Sequence, residues 1–463
     1  MTSIPRLVIA GLGGGTGKTT LALGMAIAWR ERGLDVAPFK KGPDYIDASW
    51  LEQASGGTCH HLDPFMFGQD VVYSSFIEHA SSADVALIEG NRGLFDGVDI
   101  SGRYSTAELA KILHSPVVLV LNCTKVTGTV AAIVYGCKHY DQELNLAGVV
   151  LNNVGTKRQE RVLRQAVEEG AGVEVVGVIR RQKNMSMTER HLGLHPVQEH
   201  GAPQQMLAEL GHRVSAGLNM DRLIEIAKKA PQLPPATSPL SGILGTSVGA
   251  HRAKAPRIGV LRDSSFHFYY PENLDALERH GAHLVWLDAL KTNSLPPLDG
   301  LYIGGGFPET QAGSLAGNVE LRAEIRQAAL DGLAIYAECG GLIYLCRSLE
   351  YDNTTYPMAG VFEVDMVVQK KPAGHGYSIL RALEGNPFFA AGTEIRGHTF
   401  HYSRPKKYEF PQHGFAVERG HGLDGEFAGL VCNNTVATFT HLHALATPSW
   451  APNFVALAAR RRL

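Results

Sequence analysis

Neither sign of charge dominates this chain: across 463 residues the formal net charge is −2 at neutral pH, with no long Lys/Arg run. That balance argues against nucleic acid or an anionic membrane as the main partner and favours small molecules. Cysteine is scarce. The six, Cys59, Cys123, Cys137, Cys339, Cys346 and Cys432, are scattered without C-x-x-C pairing, so neither a disulfide framework nor a zinc ribbon is expected. Cys123, Cys137 and Cys432 read as inert buried thiols. No apolar run is long enough to span a bilayer, and the first residues lack the pattern of a secretory leader, so a cytoplasmic location is expected. Repeats of solenoid length are missing too.

What the chain has is alternation. Short apolar runs, "RLVIAGL", "DVAPFK", "DVALIEG", "PVVLVLN", "LAGVVLNN" and "VEVVGVI", are separated by helical stretches through the first half, predicting an α/β fold on a buried parallel sheet. The Pro-, Ser- and Gly-rich segment 230–256 breaks the rhythm and reads as a linker between domains at 1–229 and 257–463. Beyond it "RIGVLRD", "HLVWLD", "GLYIGGG" and "LAIYAEC" resume the α/β pattern, and the end becomes richer in strands.

"GLGGGTGKTT" runs a strand into a glycine turn and a helix, the grammar of a phosphate cradle. Gly14, Gly15 and Gly17 free the backbone to turn its N–H groups onto phosphate oxygens. Lys18 would reach the β- and γ-phosphates of ATP, Thr19 would face Mg²⁺, and Thr20 beside it would contact the nucleotide. The strict motif would have glycine at Leu12, so the match is to the variant x-G-G-x-G-K-T, without the extra lysine that variant often carries at Gly13. Asp44 and Glu89 follow strands and read as Mg²⁺-shell ligands, with Asp47 and Asp96 nearer a substrate. Asn152 or Asn153, after a further strand, would hydrogen-bond an adenine edge.

"YAECGG" places Cys339 at a strand-to-helix turn, where exposure and a helix N-terminus favour a nucleophilic thiolate. The glycines of "GLYIGGGFPE", Gly305 and Gly306 among them, together with Gly340 would supply oxyanion N–H groups, and His441 of "TFTHLH" the base. His441 and His443 would share a face if the last strand is regular through "FTHLH". His398 and His401 form a second histidine pair. No third ligand stands at matching spacing, so zinc is not expected.

With "FKKGPDYID", "LDPFMF", "IEGNRGLFDG", "ERHLGLHP", "FHFYYPENLDALERHGA", "RGHTFHYS" and "THLH", nearly the whole chain resembles the cobyrinic acid a,c-diamide synthases of cobalamin biosynthesis. The resemblance implies an N-terminal synthetase domain like dethiobiotin synthetase and a C-terminal class I glutamine amidotransferase domain. It implies ATP-dependent amidation of the a- and c-carboxylates of cobyrinic acid or a related tetrapyrrole, with glutamine as nitrogen donor and Mg²⁺ as cofactor. Tyr45, Asp47 and Asp96 would then orient the acidic macrocycle. Thr399 stands where relatives usually place glutamate, and His443 where class I glutaminases carry the glutamate that orients their histidine, so either a dyad operates or an acid comes from elsewhere. Two other readings compete: the sister enzyme acting on nickel-sirohydrochlorin, and a P-loop switch ATPase carrying an inactive glutaminase-like binding module. Oligomeric state is left open.

Overall fold

A computed structural model describes residues 2–181, 189–190, 193–194, 196–197, 200–237, 239–245, 255–406 and 412–461. His191, Leu192 and His195 of "ERHLGLHP" and, within the expected linker, residues 238 and 246–254 fall outside that set. The chain forms two compact units, Met1–Pro239 and Leu240–Leu463.

In the first unit β1 (Arg6–Gly11), β2 (Val36–Lys41), β3 (His60–Leu62), β4 (Val85–Glu89), β5 (Val117–Asn122), β6 (Leu146–Val154) and β7 (Val175–Arg180) form one sheet. Their order is β3-β2-β4-β1-β5-β6-β7, and every pairing is parallel. The apolar runs are continuous because both faces are covered. Two-residue strands β8 (Glu189–Arg190) and β9 (Gly193–Leu194) pair with each other. Helix α1 (Lys18–Glu31) is buried without a break from Leu21 to Trp29, more than the single face of Leu21, Met25 and Ala28 that spacing alone predicts. It is sandwiched, since the helix Pro203–Gly217 crosses its other side. A Cβ on Gly24 would lie 2.3 Å from Val214, and one on Gly211 would lie 2.4 Å from Ile27. Arg6, fully buried, gives its guanidinium to the carbonyls of Ile4, Leu113, His114 and Pro231, tying the first strand to the start of the proline-rich segment. Strand order reverses around β1 and β4, which places their carboxyl ends at the crevice where such sheets bind ligands.

The second unit has a ten-stranded sheet. β10 (Arg257–Leu261), β11 (His283–Leu287), β12 (Gly300–Ile303), β13 (Ala334–Glu338) and β22 (Thr435–Thr438) run parallel in the order β11-β10-β12-β13-β22. Antiparallel strands β21 (Phe427–Cys432), β20 (His413–Arg419), β17 (Gly374–Ala382), β18 (Glu394–His401) and β23 (His441–Leu442) continue it in that order. A smaller sheet, β15-β14-β16-β19, is made by β14 (Cys346–Tyr351), β15 (Thr354–Pro357), β16 (Phe362–Val368) and β19 (Ser403–Pro405). The helix after Cys339 therefore spans only Gly340–Leu345 before the chain becomes β14. Cys123 is buried as expected, whereas Cys137, on the helix Thr129–Tyr140, and Cys432, the last residue of β21, are only half-buried.

Candidate active sites

The glycine turn closes over the carboxyl end of β1. Gly15 (φ 69°) and Gly17 (φ 95°) take left-handed backbone that a side chain would strain, and Gly17 caps α1. Gly14 and Gly15 are exposed at the tip. Lys18, 7% exposed, donates from Nζ to the Gly13 carbonyl at 2.7 Å, and burial first, then Lys40, lowers its pKa. A neighbouring anion would reverse that penalty.

Thr19 Oγ1 donates to Glu89 Oε1 at 2.6 Å and reaches Asp47 Oδ2 at 3.3 Å. Lys40 sits in the same cluster, its Nζ 2.6 Å from Asp47 Oδ2 and 3.0 Å from Glu89 Oε1. Burial opposes the Lys40 charge, but the carboxylates of Asp47 and Glu89 outweigh it and raise its pKa. Burial pushes Glu89 up despite Lys40. For Asp47 the ammonium wins over burial and holds its pKa down. Asp47, expected nearer the substrate, thus joins Thr19 and Glu89. Asp44, expected as a metal ligand, caps helix α2 (Tyr45–Ser55), its Oδ1 accepting from the N–H of Ile46 and Asp47. Burial and the adjacent Asp47 push Asp44 up to about 7.

Asn152, expected at an adenine edge, braces the phosphate loop: its Nδ2 donates to the Thr16 carbonyl at 2.9 Å, and a Cβ on Gly17 would lie 2.3 Å from that nitrogen. Asp96 accepts from Gly93 N at 2.9 Å, in a loop tied to β1 by Leu94 N to Gly11 O at 2.7 Å. Its charge reaches Lys18. Tyr45 opens α2, buried, with its ring 5.8 Å from that of His61. Thr20 is half-buried beside Thr19.

In the second unit Cys339 stands on a strained turn (φ 49°, ψ −100°) between β13 and its short helix, and it is buried rather than exposed as the turn alone suggests, because Phe400 and the glycine turn after β12 close over it. Its N–H donates to Thr438 O at 2.7 Å, and its thiol donates to Phe400 O at 3.6 Å. His441 packs on the glycine turn after β12, for a Cβ on Gly305 would lie 2.3 Å from its Cε1. A Cβ on Gly340 would lie 3.1 Å from Gly306 N, so these two backbones run side by side at the thiol. Burial disfavours charge on His441, but Cys339 and Glu338 more than offset this and raise its pKa to about 9.

The expected regular strand through "FTHLH" is not formed. β22 ends at Thr438, and β23, only His441–Leu442, pairs instead with β18, opposite Gly397 and His398. His443 lies beyond it, fully buried, with Nε2 3.3 Å from Glu272 Oε2 and Nδ1 accepting from Leu445 N at 3.1 Å. The ring of His398 stacks on His441 at 4.9 Å, while His401 stacks on Phe439 at 3.6 Å and bonds Ser403 O at 2.7 Å. Thr399 is buried opposite Gly376.

Two residues carry more than the sequence assigns them. Lys40 was visible as the first lysine of "FKKGPDYID", but nothing in the spacing shows it neutralising two carboxylates. Glu338 was visible only as the acid preceding Cys339, on a strand whose alternation would aim it away from the thiol.

Fold and sites together define a P-loop nucleotide-binding unit joined to a glutamine amidotransferase unit. Residues 7–194 match the CobQ/CobB/MinD/ParA nucleotide binding domain family, and residues 257–449 the CobB/CobQ-like glutamine amidotransferase domain family. The chain is 40% identical over 465 residues to a cobyrinate a,c-diamide synthase of Magnetococcus marinus, covering 99% of this chain and 98% of that one. Proteins of the same name from Archaeoglobus fulgidus (40% over 460 residues, 99% and 98% covered) and Dehalococcoides mccartyi strain CBDB1 (38% over 465 residues, 98% of each) are similar over their full lengths. The chain belongs to the cobyrinate a,c-diamide synthase family. Among the described residues no helix is long and apolar enough to cross a membrane.

Proposed function

We propose that this chain converts the a- and c-carboxylates of cobyrinic acid to amides, using ATP and glutamine. The carrying observation is identity of 40% to cobyrinate a,c-diamide synthases over 99% of the chain. That likeness favours the corrin over nickel-sirohydrochlorin. We assign the synthetase to residues 1–229, the amidotransferase to 257–463 and the linker to 230–256. We assign the reaction to the cytoplasm, where ATP and glutamine are both supplied.

A carboxylate is a poor electrophile, so the acceptor oxygen attacks the γ-phosphorus, ADP leaves, and the acyl phosphate forms. Gly14, Gly15 and Gly17 present backbone N–H groups to the phosphates, Lys18 balances their charge, and Asn152 keeps the loop in shape. The donor set suits Mg²⁺: hard oxygens from Thr19, Asp47 and Glu89, with Glu89 Oε2 buried and accepting no hydrogen bond. Asp44, behind them, shapes the start of α2. When bound, that ion neutralises phosphate charge. Lys40 holds the carboxylates in register, and Tyr45 and Asp96 line the acceptor's approach.

At the other site the Cys339 thiolate attacks the glutamine carboxamide carbon, its oxyanion met by the amides of Gly305, Gly306 and Gly340. His441 passes a proton to the leaving nitrogen, which departs as ammonia, and then takes one from the water that hydrolyses the thioester to glutamate. Ammonia attacks the acyl phosphate carbon, and phosphate leaves.

Incubation with MgATP, glutamine and either cobyrinic acid or nickel-sirohydrochlorin, followed by mass spectrometry, tests this. A cobyrinic acid diamide is expected. Product from the nickel tetrapyrrole alone would transfer the assignment to the sister reaction, and absence of glutamate release would favour the switch ATPase. Cys339→Ala should abolish glutamine-dependent amidation and spare ammonium-dependent amidation, and loss of both in a folded variant would show that the two sites are not separable as proposed.

A further inference from the structure

Building on the glutamine-hydrolysing reading of Cys339, we propose that Glu338, the residue preceding the nucleophile, is the acid that positions His441. Its carboxylate is fully buried, with Oε2 3.7 Å from His441 Nδ1. That is ion-pair distance, longer than a hydrogen bond, and catalytic contacts commonly tighten once substrate is bound.

Two hydrogen bonds hold the carboxylate. Oε2 accepts from the Tyr302 hydroxyl at 3.1 Å, and Oε1 accepts from Leu442 N at 3.0 Å. Leu442 follows His441 directly, so Glu338 grips the backbone that carries the histidine as well as facing its ring. Asn273 extends the brace: its Nδ2 donates to the Tyr302 hydroxyl at 3.2 Å and to Leu442 O at 3.1 Å, and its Oδ1 accepts from Ala444 N at 2.7 Å.

Neighbours in a regular strand point to opposite faces. The positive φ of Cys339 breaks that alternation, and so consecutive residues can both act on one imidazole. His443, at the position where class I glutaminases carry their orienting acid, is engaged elsewhere, with Nε2 on Glu272 and Nδ1 on Leu445 N.

The groups facing His441 include Cys339 and Glu338 from the β13 end, His398 stacked on its ring, His401 through its charge, and the Phe268 ring at 6.5 Å. Of these only Cys339 and Glu338 favour the imidazolium, which His441 needs to protonate leaving ammonia. The wild-type glutaminase rate should therefore fall as pH rises through about 9, where His441 loses its proton.

Glu338→Gln keeps the shape and removes the charge. Its glutaminase kcat should drop by on the order of 10²- to 10⁴-fold, with KM for glutamine little changed. Its alkaline limb should move to lower pH, ammonium-dependent amidation should persist, and an unchanged C-terminal melting transition should show that the unit holding Glu338 is folded. Wild-type kcat and an unmoved limb would overturn the assignment. If Glu338→Gln does not fold, Tyr302→Phe decides, since it keeps the carboxylate and releases one of its holds: a lower limb supports positioning by Glu338, and an unchanged profile overturns it. Failure of the wild-type enzyme itself to release glutamate would instead overturn the glutaminase reading, and with it the role of Glu338.

Discussion

Replacing Lys40 with methionine keeps its length and removes the ammonium that pairs with both Asp47 and Glu89. The side chains of Lys40, Asp47 and Glu89 are 2%, 16% and 0% exposed, so water cannot take over the neutralisation. Breaking a buried ion pair by deleting one partner costs about 3–5 kcal/mol, largely because the other charge stays buried. For a unit the size of Met1–Pro239, 1 kcal/mol moves Tm by roughly 2–4 °C, so the N-terminal transition should fall by roughly 6–20 °C. The deficit should also depend on pH. Without the ammonium, burial raises both carboxyls above their unfolded values of about 4. A group raised in the folded state contributes stability that is present below its unfolded pKa and lost as pH rises through its folded pKa. The gap between Lys40→Met and wild type should therefore widen from about pH 4 towards neutrality. Scanning calorimetry at several pH values measures this, with the C-terminal transition as internal reference. Lys40→Met/Asp47→Asn should recover part of the loss. A Tm within about 2 °C of wild type, or a deficit that ignores pH, would refute the assignment of Lys40 as the cluster's counter-charge.

His441→Ala should cut glutaminase turnover by about 10²- to 10⁴-fold, while His443→Ala should cost mainly stability by taking the imidazole from buried Glu272; glutamate release and thermal melts on both variants separate the two, and a turnover loss confined to His443→Ala would reverse the roles. Gly305→Ala puts a methyl 2.3 Å from the His441 ring, so glutamine-dependent amidation should collapse while ammonium-dependent amidation continues. Wild-type glutamine turnover in that variant would show that His441 is not seated on this turn.

Much of the fold follows from local pattern. Continuous apolar runs mark β1, β2, β4, β5, β6 and β7, because a strand covered on both faces has no polar side to show. β3 escapes that reading: it spans only His60–Leu62 and carries two histidines. The phosphate loop and the Cys339 turn are likewise local, since glycine and strand-to-helix grammar carry their meaning within a dozen residues. Roles that depend on what lies opposite are different. Asp44 and Asp47, three residues apart in one motif, part company only when α2 forms: the first turns back to cap the helix, and the second turns in to meet Lys40.

The sequence by itself determined the two α/β units, the glycine loop with Lys18 and Thr19, and the cysteine at its turn, because each is encoded by periodicity or by a contiguous motif. Tertiary structure alone decided which acid serves His441. The chain leaves β22 at Thr438 and re-enters the sheet as β23 beside β18, while a side-chain bond from Glu338 to Leu442 N joins β23 back to the end of β13. No spacing in "FTHLH" encodes that return. It depends on Glu338 and His441 meeting across the fold, where the positive φ of Cys339 and the buried Tyr302 hydroxyl leave the carboxylate one place to go.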